Sequence, residues 1–202
     1  LAAKLGQRPQ GAWLTERVWE STVVPALADC GIRYVIVDDY HFLCAGRAHA
    51  ELNGYFTTEE DSRKLDLFPI SENLRYKIPF SPVDETIAYL ESLADSTASN
   101  SHTAAIYFDD IEKFGIWPET YQWVYEKGWL EQFIQAVLAS TKISPQHYSA
   151  YHATGKTRGI VYLPTVSYIE MNEWTLPAPS ANTYADLVQQ AKSSGWYEHK
   201  KA

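Results

Sequence analysis

The chain has 202 residues, 46% of them hydrophobic, with 17 Lys and Arg against 25 Asp and Glu and a formal net charge of -8. That length and apolar fraction suffice for one well-buried domain. The acidic balance argues against a nucleic-acid surface, and no run approaches a membrane span or reads as a leader. With only Cys30 and Cys44, a disulfide framework is not expected, and both read as small apolar residues in a reducing, cytoplasmic compartment.

The opening Leu1-Ala-Ala-Lys-Leu5 reads as the end of a helix already under way. Next comes Gly11-Ala-Trp-Leu-Thr-Glu-Arg-Val-Trp19, a short apolar segment giving way to Glu16 and Arg17 between two tryptophans. A carboxylate among rings is partly desolvated, and rings offer flat faces on which sugars stack. Residues 21–31 place Val23, Val24, Leu27 and Ala28 at helical spacing, with Gly31 as C-cap. A strand is predicted over 34–37. It leads into Asp38 and Asp39, expected to bond loop amides, and into Tyr40 and His41, expected near a substrate. Residues 47–80 read as an insertion, β-prone around 55–57 and 64–68, and Pro69 argues against a central strand over 65–70. Pro82 opens a helix to Leu93 with Val83, Ile87 and Leu90 inward, and 95–102 is a Ser- and Thr-rich loop.

Ala104-Ala-Ile-Tyr-Phe108 has no polar alternation, the pattern of a strand buried on both faces. Asp109, Asp110 and Glu112 follow at once, and carboxyl ends of parallel strands are where α/β proteins place catalytic groups. An acid after a strand is about as often a cap of the next turn; the second stretch, around Glu16, tips the balance. Two carboxylates with tryptophans suggest glycoside chemistry. Residues 118–127 then suit an N-capped helix, and 130–139 form an amphipathic one with Phe133, Ile134, Val137 and Leu138 inward. Ser144-Pro145 opens a helix to Ala153, 159–163 is the last strand, and Glu170 and Glu173 are spaced for a salt bridge or a cap. Residues 183–192 close the chain as an amphipathic helix. No metal centre is expected, because the six histidines are dispersed and neither paired-cysteine nor calcium-loop spacing occurs.

Trp13-Leu-Thr-Glu-Arg-Val-Trp19 and Asp109-Asp110-Ile-Glu-Lys-Phe-Gly-Ile-Trp117 resemble the third and fourth conserved regions of glycoside hydrolase family 57, the 4-α-glucanotransferase and α-amylase group. The resemblance extends through Tyr34-Val-Ile-Val-Asp-Asp-Tyr-His-Phe42, Leu74-Arg-Tyr-Lys-Ile-Pro-Phe80, Tyr121-Gln-Trp-Val-Tyr-Glu-Lys-Gly-Trp129 and Tyr168-Ile-Glu-Met-Asn-Glu-Trp174, nearly the whole chain. It implies that Glu16 is the nucleophile and Asp110 the general acid/base of a retaining mechanism. Trp13, Glu112 and Trp117 are then substrate-binding, with Tyr40 and His41 beside them. Ile111 stands where the family carries Gly, and Phe108 where it often carries His.

The strand–helix alternation predicts an α/β fold with a parallel sheet, and the resemblance specifies a partial (β/α)7 barrel, an incomplete TIM-like barrel with helical insertions. Residues 1–202 are then one catalytic-barrel fragment, with other conserved regions before Leu1 and after Ala202. The implied partner is an α-glucan or malto-oligosaccharide, with no nucleic acid, membrane or cofactor and with room for a homodimer at full length. The expected activity is that of a 4-α-glucanotransferase. The alternatives are an α-amylase and a non-catalytic glucan-binding barrel, the latter favoured by Ile111 and opposed by Glu16, Asp110 and Glu112.

Overall fold

The computed structural model describes residues 2–96 and 102–195. The predicted loop over 95–102 lies largely outside them; Asp95 and Ser96 end a helix instead. The elements, in order, are α1 (Ala2–Leu5), β1 (Gly11–Trp13), α2 (Val23–Asp29), β2 (Tyr34–Asp38), α3 (Asp39–Cys44), β3 (Phe56–Glu60), β4 (Arg63–Ile70), α4 (Glu72–Lys77), α5 (Val83–Ser96), α6 (Trp129–Ala139), α7 (Tyr148–Thr154), α8 (Ile169–Trp174) and α9 (Ala178–Ser193). Short 3-10 turns at Thr15–Arg17 and Ile111–Phe114 and a π-helical turn at Gln122–Glu126 complete the parts that matter for a site. Among the described residues, no helix is long and apolar enough to cross a membrane.

The sheet runs β1-β2-β4-β3, with β1, β2 and β4 parallel and β3 antiparallel on the edge. Its core is apolar on both faces because both are covered, one by α2 and α3 and the other by α7 and residues 104–108. Val35, Val37, Leu65 and Leu67 join Val24 and Phe42 from α2 and α3, whereas Tyr34, Ile36, Phe68 and Ile70 join Ile106 and the α7 rings of Tyr148 and Tyr151. Each such aliphatic or Phe side chain contributes roughly 1.5–3 kcal/mol on burial. Trp13 from β1 touches Phe108, beyond the far side of β4, with ring centroids 5.1 Å apart. This second face is therefore concave, the inside of a partial barrel.

Three strand expectations are corrected. Pro69 lies within β4, a central strand. The Asp66 N–H bonds to Arg33 O, so even-numbered residues address β2 and Pro69 addresses the β3 side, where pairing has already ended at Leu67. The absent N–H therefore breaks no ladder bond. The stretch 47–80 accordingly divides: β3 is an antiparallel addition, while β4 belongs to the wall. Residues 104–108 form no ladder; Ser71 N–H bonds to Ile106 O at 2.9 Å, and Tyr148 Oη donates to the Tyr107 carbonyl at 2.7 Å. Residues 159–163 make only a single bridge, Thr57 to Ile160.

Several helical faces also differ from expectation. On α6, Ile134 and Leu138 are exposed, and Trp129 and Phe133 instead pack on Leu74 and Ile78. The α7 helix begins at Tyr148, with residues 144–147 outside any helix and His147 extended. On α9, Tyr184 and Leu187 face solvent. Both cysteines are free and exposed, so neither is a core residue.

Candidate active site

The carboxyl ends of β1, β2 and β4 and the end of the 104–108 segment converge on one cluster of charges. At its centre is Asp38, the last residue of β2, whose Oδ2 lies 3.0 Å from Arg17 Nε and 3.8 Å from Arg75 Nη1. The Arg17 contact is an ion pair without hydrogen-bond alignment. Burial raises the Asp38 carboxyl above its ordinary range, and the two guanidiniums pull it back. Arg75, on α4, reaches Asp109 with Nε and Nη2 at 3.1 and 2.9 Å and Asp110 with Nη2 at 3.2 Å. Lys113 completes the set, donating to Asp109 Oδ2 at 2.5 Å and to Arg75 O at 2.7 Å. Arg17, Arg75 and Lys113 thus face Asp38, Asp109 and Asp110 in a largely buried network. Such a network is costly to break, because a stranded charge cannot be solvated.

Glu16 is held by different means. Its backbone is left-handed, φ 53 and ψ 9, and Arg17 follows with φ 49. Left-handed non-glycine residues cost roughly 1–2 kcal/mol each, so the surroundings must over-determine the turn. Arg17 N–H bonds to Leu14 O at 2.8 Å, Ser167 Oγ donates to Glu16 O at 2.7 Å, and Tyr168 Oη donates to Glu16 Oε2 at 2.6 Å. His41 Nε2–H donates to Arg17 O at 2.6 Å, and the Arg17 guanidinium lies 4.1 Å from the Tyr168 ring centre.

The expected site residues divide accordingly. Trp13 and Glu16 lie at and just past the end of β1, and Asp110 follows the 104–108 segment. Asp110 is tied through Arg75 and Asp38 to Arg17, next to Glu16, while Trp13 packs on Phe108 at the mouth of the concave face. Trp117 is partly exposed and stacks on Phe80 with centroids 6.0 Å apart, Lys113 lying over both rings. Glu112 is exposed on the turn after Asp110. Ile111 is 80% exposed and is not among the positive-φ residues, so its backbone needs no glycine. One expectation is corrected. His41 is fully buried and has no surface with which to touch a ligand; it donates to the carbonyl of Arg17, the residue after Glu16. Tyr40 is half-buried on α3.

Sequence reasoning missed Arg75, Lys113 and Ser167 as site components. Arg75 precedes its carboxylate partners by 34 and 35 positions, and Ser167 follows Glu16 by 151. A basic residue inside a matched segment was the one available signal for Arg75. Asp39 behaves as expected of a loop-binding acid, accepting the Glu72 N–H at 3.0 Å. Its other oxygen is buried without a partner, and burial pushes its carboxyl up to about 7. Among the described residues, no group of three or more His, Cys, Asp or Glu could hold a metal ion.

The sequence model of Glycosyl hydrolase family 57 matches residues 1–164. The chain is similar to the 4-alpha-glucanotransferase of Thermococcus litoralis, 49% identical over 98% of this chain and 29% of that protein. It is likewise similar to the alpha-amylase of Pyrococcus furiosus, 48% identical over 98% of this chain and 30% of that protein. The chain therefore spans about three tenths of the length of these relatives. Among solved structures, the Thermococcus litoralis 4-alpha-glucanotransferase superposes with a TM-score of 0.90 at 48% identity, over 99% of this chain and 31% of that one. The GH57-type branching enzyme of Pyrococcus horikoshii shares the α/β fold at 16% identity and a TM-score of 0.65, covering 87% of this chain and 44% of that one.

Proposed function

The chain belongs to glycosyl hydrolase family 57, and on that premise we propose that it is the catalytic-barrel fragment of a retaining enzyme acting on α-1,4-linked glucans, with 4-α-glucanotransferase the favoured activity. The observation that supports this best is that two differently held acids meet one charge network: Glu16 on a strained turn next to Arg17, and Asp110 on Arg75, with Asp38 between the two arginines.

In this reading Glu16 attacks the anomeric carbon while Asp110 gives its proton to the departing glycosidic oxygen, so that the C1–O bond breaks as the glycosyl ester forms. Asp110 then takes a proton from an incoming sugar hydroxyl or water, which displaces Glu16. The Tyr168 hydrogen bond to Oε2 fixes the carboxylate plane and leaves Oε1 for the attack. A retaining mechanism requires the two carboxyls about 5–5.5 Å apart. Trp13, Glu112 and Trp117 are assigned to substrate binding, with the Trp117–Phe80 stack offering an exposed ring face to a sugar.

The test is the product profile of the full-length protein on maltotriose, resolved by oligosaccharide length over time. Longer oligomers appearing beside glucose establish a glucanotransferase. Shorter sugars alone make it an α-amylase. Glucan affinity without turnover, unchanged by Glu16→Gln, would leave a binding barrel and overturn the proposal.

A further inference from the structure

The Glu16–Arg17 turn carries two consecutive left-handed residues, neither of them glycine, aspartate or asparagine, the types that adopt this conformation most readily. Its two carbonyls are each captured by a buried donor from elsewhere in the chain. Ser167, 3% exposed, donates Oγ–H to Glu16 O, and His41, wholly buried, donates Nε2–H to Arg17 O. Both donors are themselves fixed. The Asn172 side chain accepts from the Ser167 N–H at 3.2 Å and donates to the Ser167 carbonyl at 3.0 Å, and Trp19 N–H bonds to Val166 O at 2.9 Å. The second ring nitrogen of His41 faces Asp38 O at 3.1 Å, and Asp38 is the ion-pair partner of Arg17. Resting on the reading of Glu16 as nucleophile, we propose that His41 and Ser167 are positioning residues that clamp the carbonyls of the Glu16–Arg17 turn and so hold the attacking carboxylate in place.

Neither residue touches substrate in this assignment. Removing either clamp lets a peptide of the turn rotate toward an unstrained conformation, which swings the Glu16 carboxylate out of line. The ground-state fit of the glucan changes little, because the stacking rings stay where they are. The loss therefore falls on kcat rather than KM.

The experiment uses the full-length protein and two readouts: steady-state turnover of maltotriose, and the rate of covalent labelling by 5-fluoro-α-glucosyl fluoride, followed by peptide mass. In the labelling step the Glu16 carboxylate forms a bond to the anomeric carbon and fluoride leaves with the C–F electron pair, a departure that needs no acid. His41→Phe keeps the ring and loses the donor, whereas His41→Gln carries an amide N–H near the Nε2 position. Ser167→Ala loses the hydroxyl, and Ser167→Thr keeps it. The expected result is a fall of about tenfold to a hundredfold in kcat and in labelling rate for His41→Phe and Ser167→Ala, with KM within about twofold and partial recovery in Gln and Thr. If His41→Phe does not fold, the Ser167 pair carries the test, since that truncation removes a single oxygen. Labelling and kcat at the wild-type rate in folded Phe and Ala variants would overturn the clamp, as would losses that the Gln and Thr variants share in full. Failure to label Glu16 in the wild-type protein would instead overturn the nucleophile assignment on which the clamp rests.

Discussion

The two acids at this site are held in opposite ways. Around Glu16 the backbone is strained and the restraints are hydrogen bonds from a serine, a tyrosine and a histidine; around Asp110 the backbone is relaxed and the restraints are ion pairs with Arg75 and, through Asp109, Lys113. The difference suits the proposed roles. An attacking carboxylate needs a fixed direction, which short hydrogen bonds to its own backbone supply. The Asp110 side chain, by contrast, keeps about a third of its surface exposed, so it stays open to exchange a proton with solvent.

The sharpest break of this comparison is Glu16→Gln. Turnover of maltotriose should fall by roughly a thousandfold or more, while stability shifts by only about 0.5 kcal/mol, as for other exposed substitutions. Equal loss of activity and fold would mean that the turn serves structure alone.

On the acid side the largest effect should come from Arg75→Met. It leaves Asp109, whose side chain is 2% exposed, and Asp38 short of a partner, and breaking such a buried pair costs roughly 3–5 kcal/mol. Lys113 and Arg17 remain, so about 3 kcal/mol is expected in urea denaturation. A loss below about 1 kcal/mol would show that the network contributes little. Turnover of glucan should suffer more than labelling by the glucosyl fluoride, the reverse of the even loss expected for the His41 and Ser167 variants.

How far all this was legible in the sequence follows the same division. The acids and their tryptophans stood out because they interrupt apolar runs, and β2, α2 and α5 were read from local periodicity close to their observed bounds. What stayed hidden was non-local or two-sided. No local pattern marks Glu16 and Arg17 as left-handed, since neither is a residue type associated with that conformation. The Pro69 rule failed because which neighbour a strand residue addresses is a property of the sheet. Ala104 to Phe108 looked like a strand because burial, not laddering, sets its composition. His41 looked like a ligand-side histidine and proved to be a buried brace.

The scaffold of the acid side should also respond to pH. Burial pushes the Asp39 carboxyl up to about 7, above an unfolded value near ~3.9, so the native state binds this proton more tightly than the unfolded chain does. Its contribution to stability is full below about pH 4 and declines as pH rises toward about 7, at up to ~1.4 kcal/mol per pH unit. Asp38, Glu72 and the Tyr40 backbone N–H are the groups that modulate it. Asp39→Asn keeps an acceptor for the Glu72 N–H and should flatten that slope in denaturation curves taken between pH 4 and 7. Parallel curves for the two proteins would mean that Asp39 is ionised throughout.

The smallest effect isolates strain from function. Asp61 and Ser62, between β3 and β4, form a second consecutive left-handed pair among the described residues, φ 46 and 59, in an exposed hairpin turn. Ser62→Gly should stabilise by about 0.5–1 kcal/mol, because glycine relieves the turn. The same strain at Glu16 cannot be relieved by glycine without deleting the carboxylate proposed as nucleophile. A Ser62→Gly protein no more stable than wild type would remove the basis for treating the Glu16 turn as strained.

The Ser167–Glu16 bond spans 151 positions of chain. During synthesis, therefore, Glu16 leaves the ribosome long before Ser167 and Tyr168, which bond its carbonyl and its carboxylate, exist. In the proposed reading, competence to attack a glycosidic bond arrives with the segment around Ser167 and Tyr168, not with the acid itself. A nascent chain halted before that segment would carry Glu16 without the Ser167 and Tyr168 bonds that hold it.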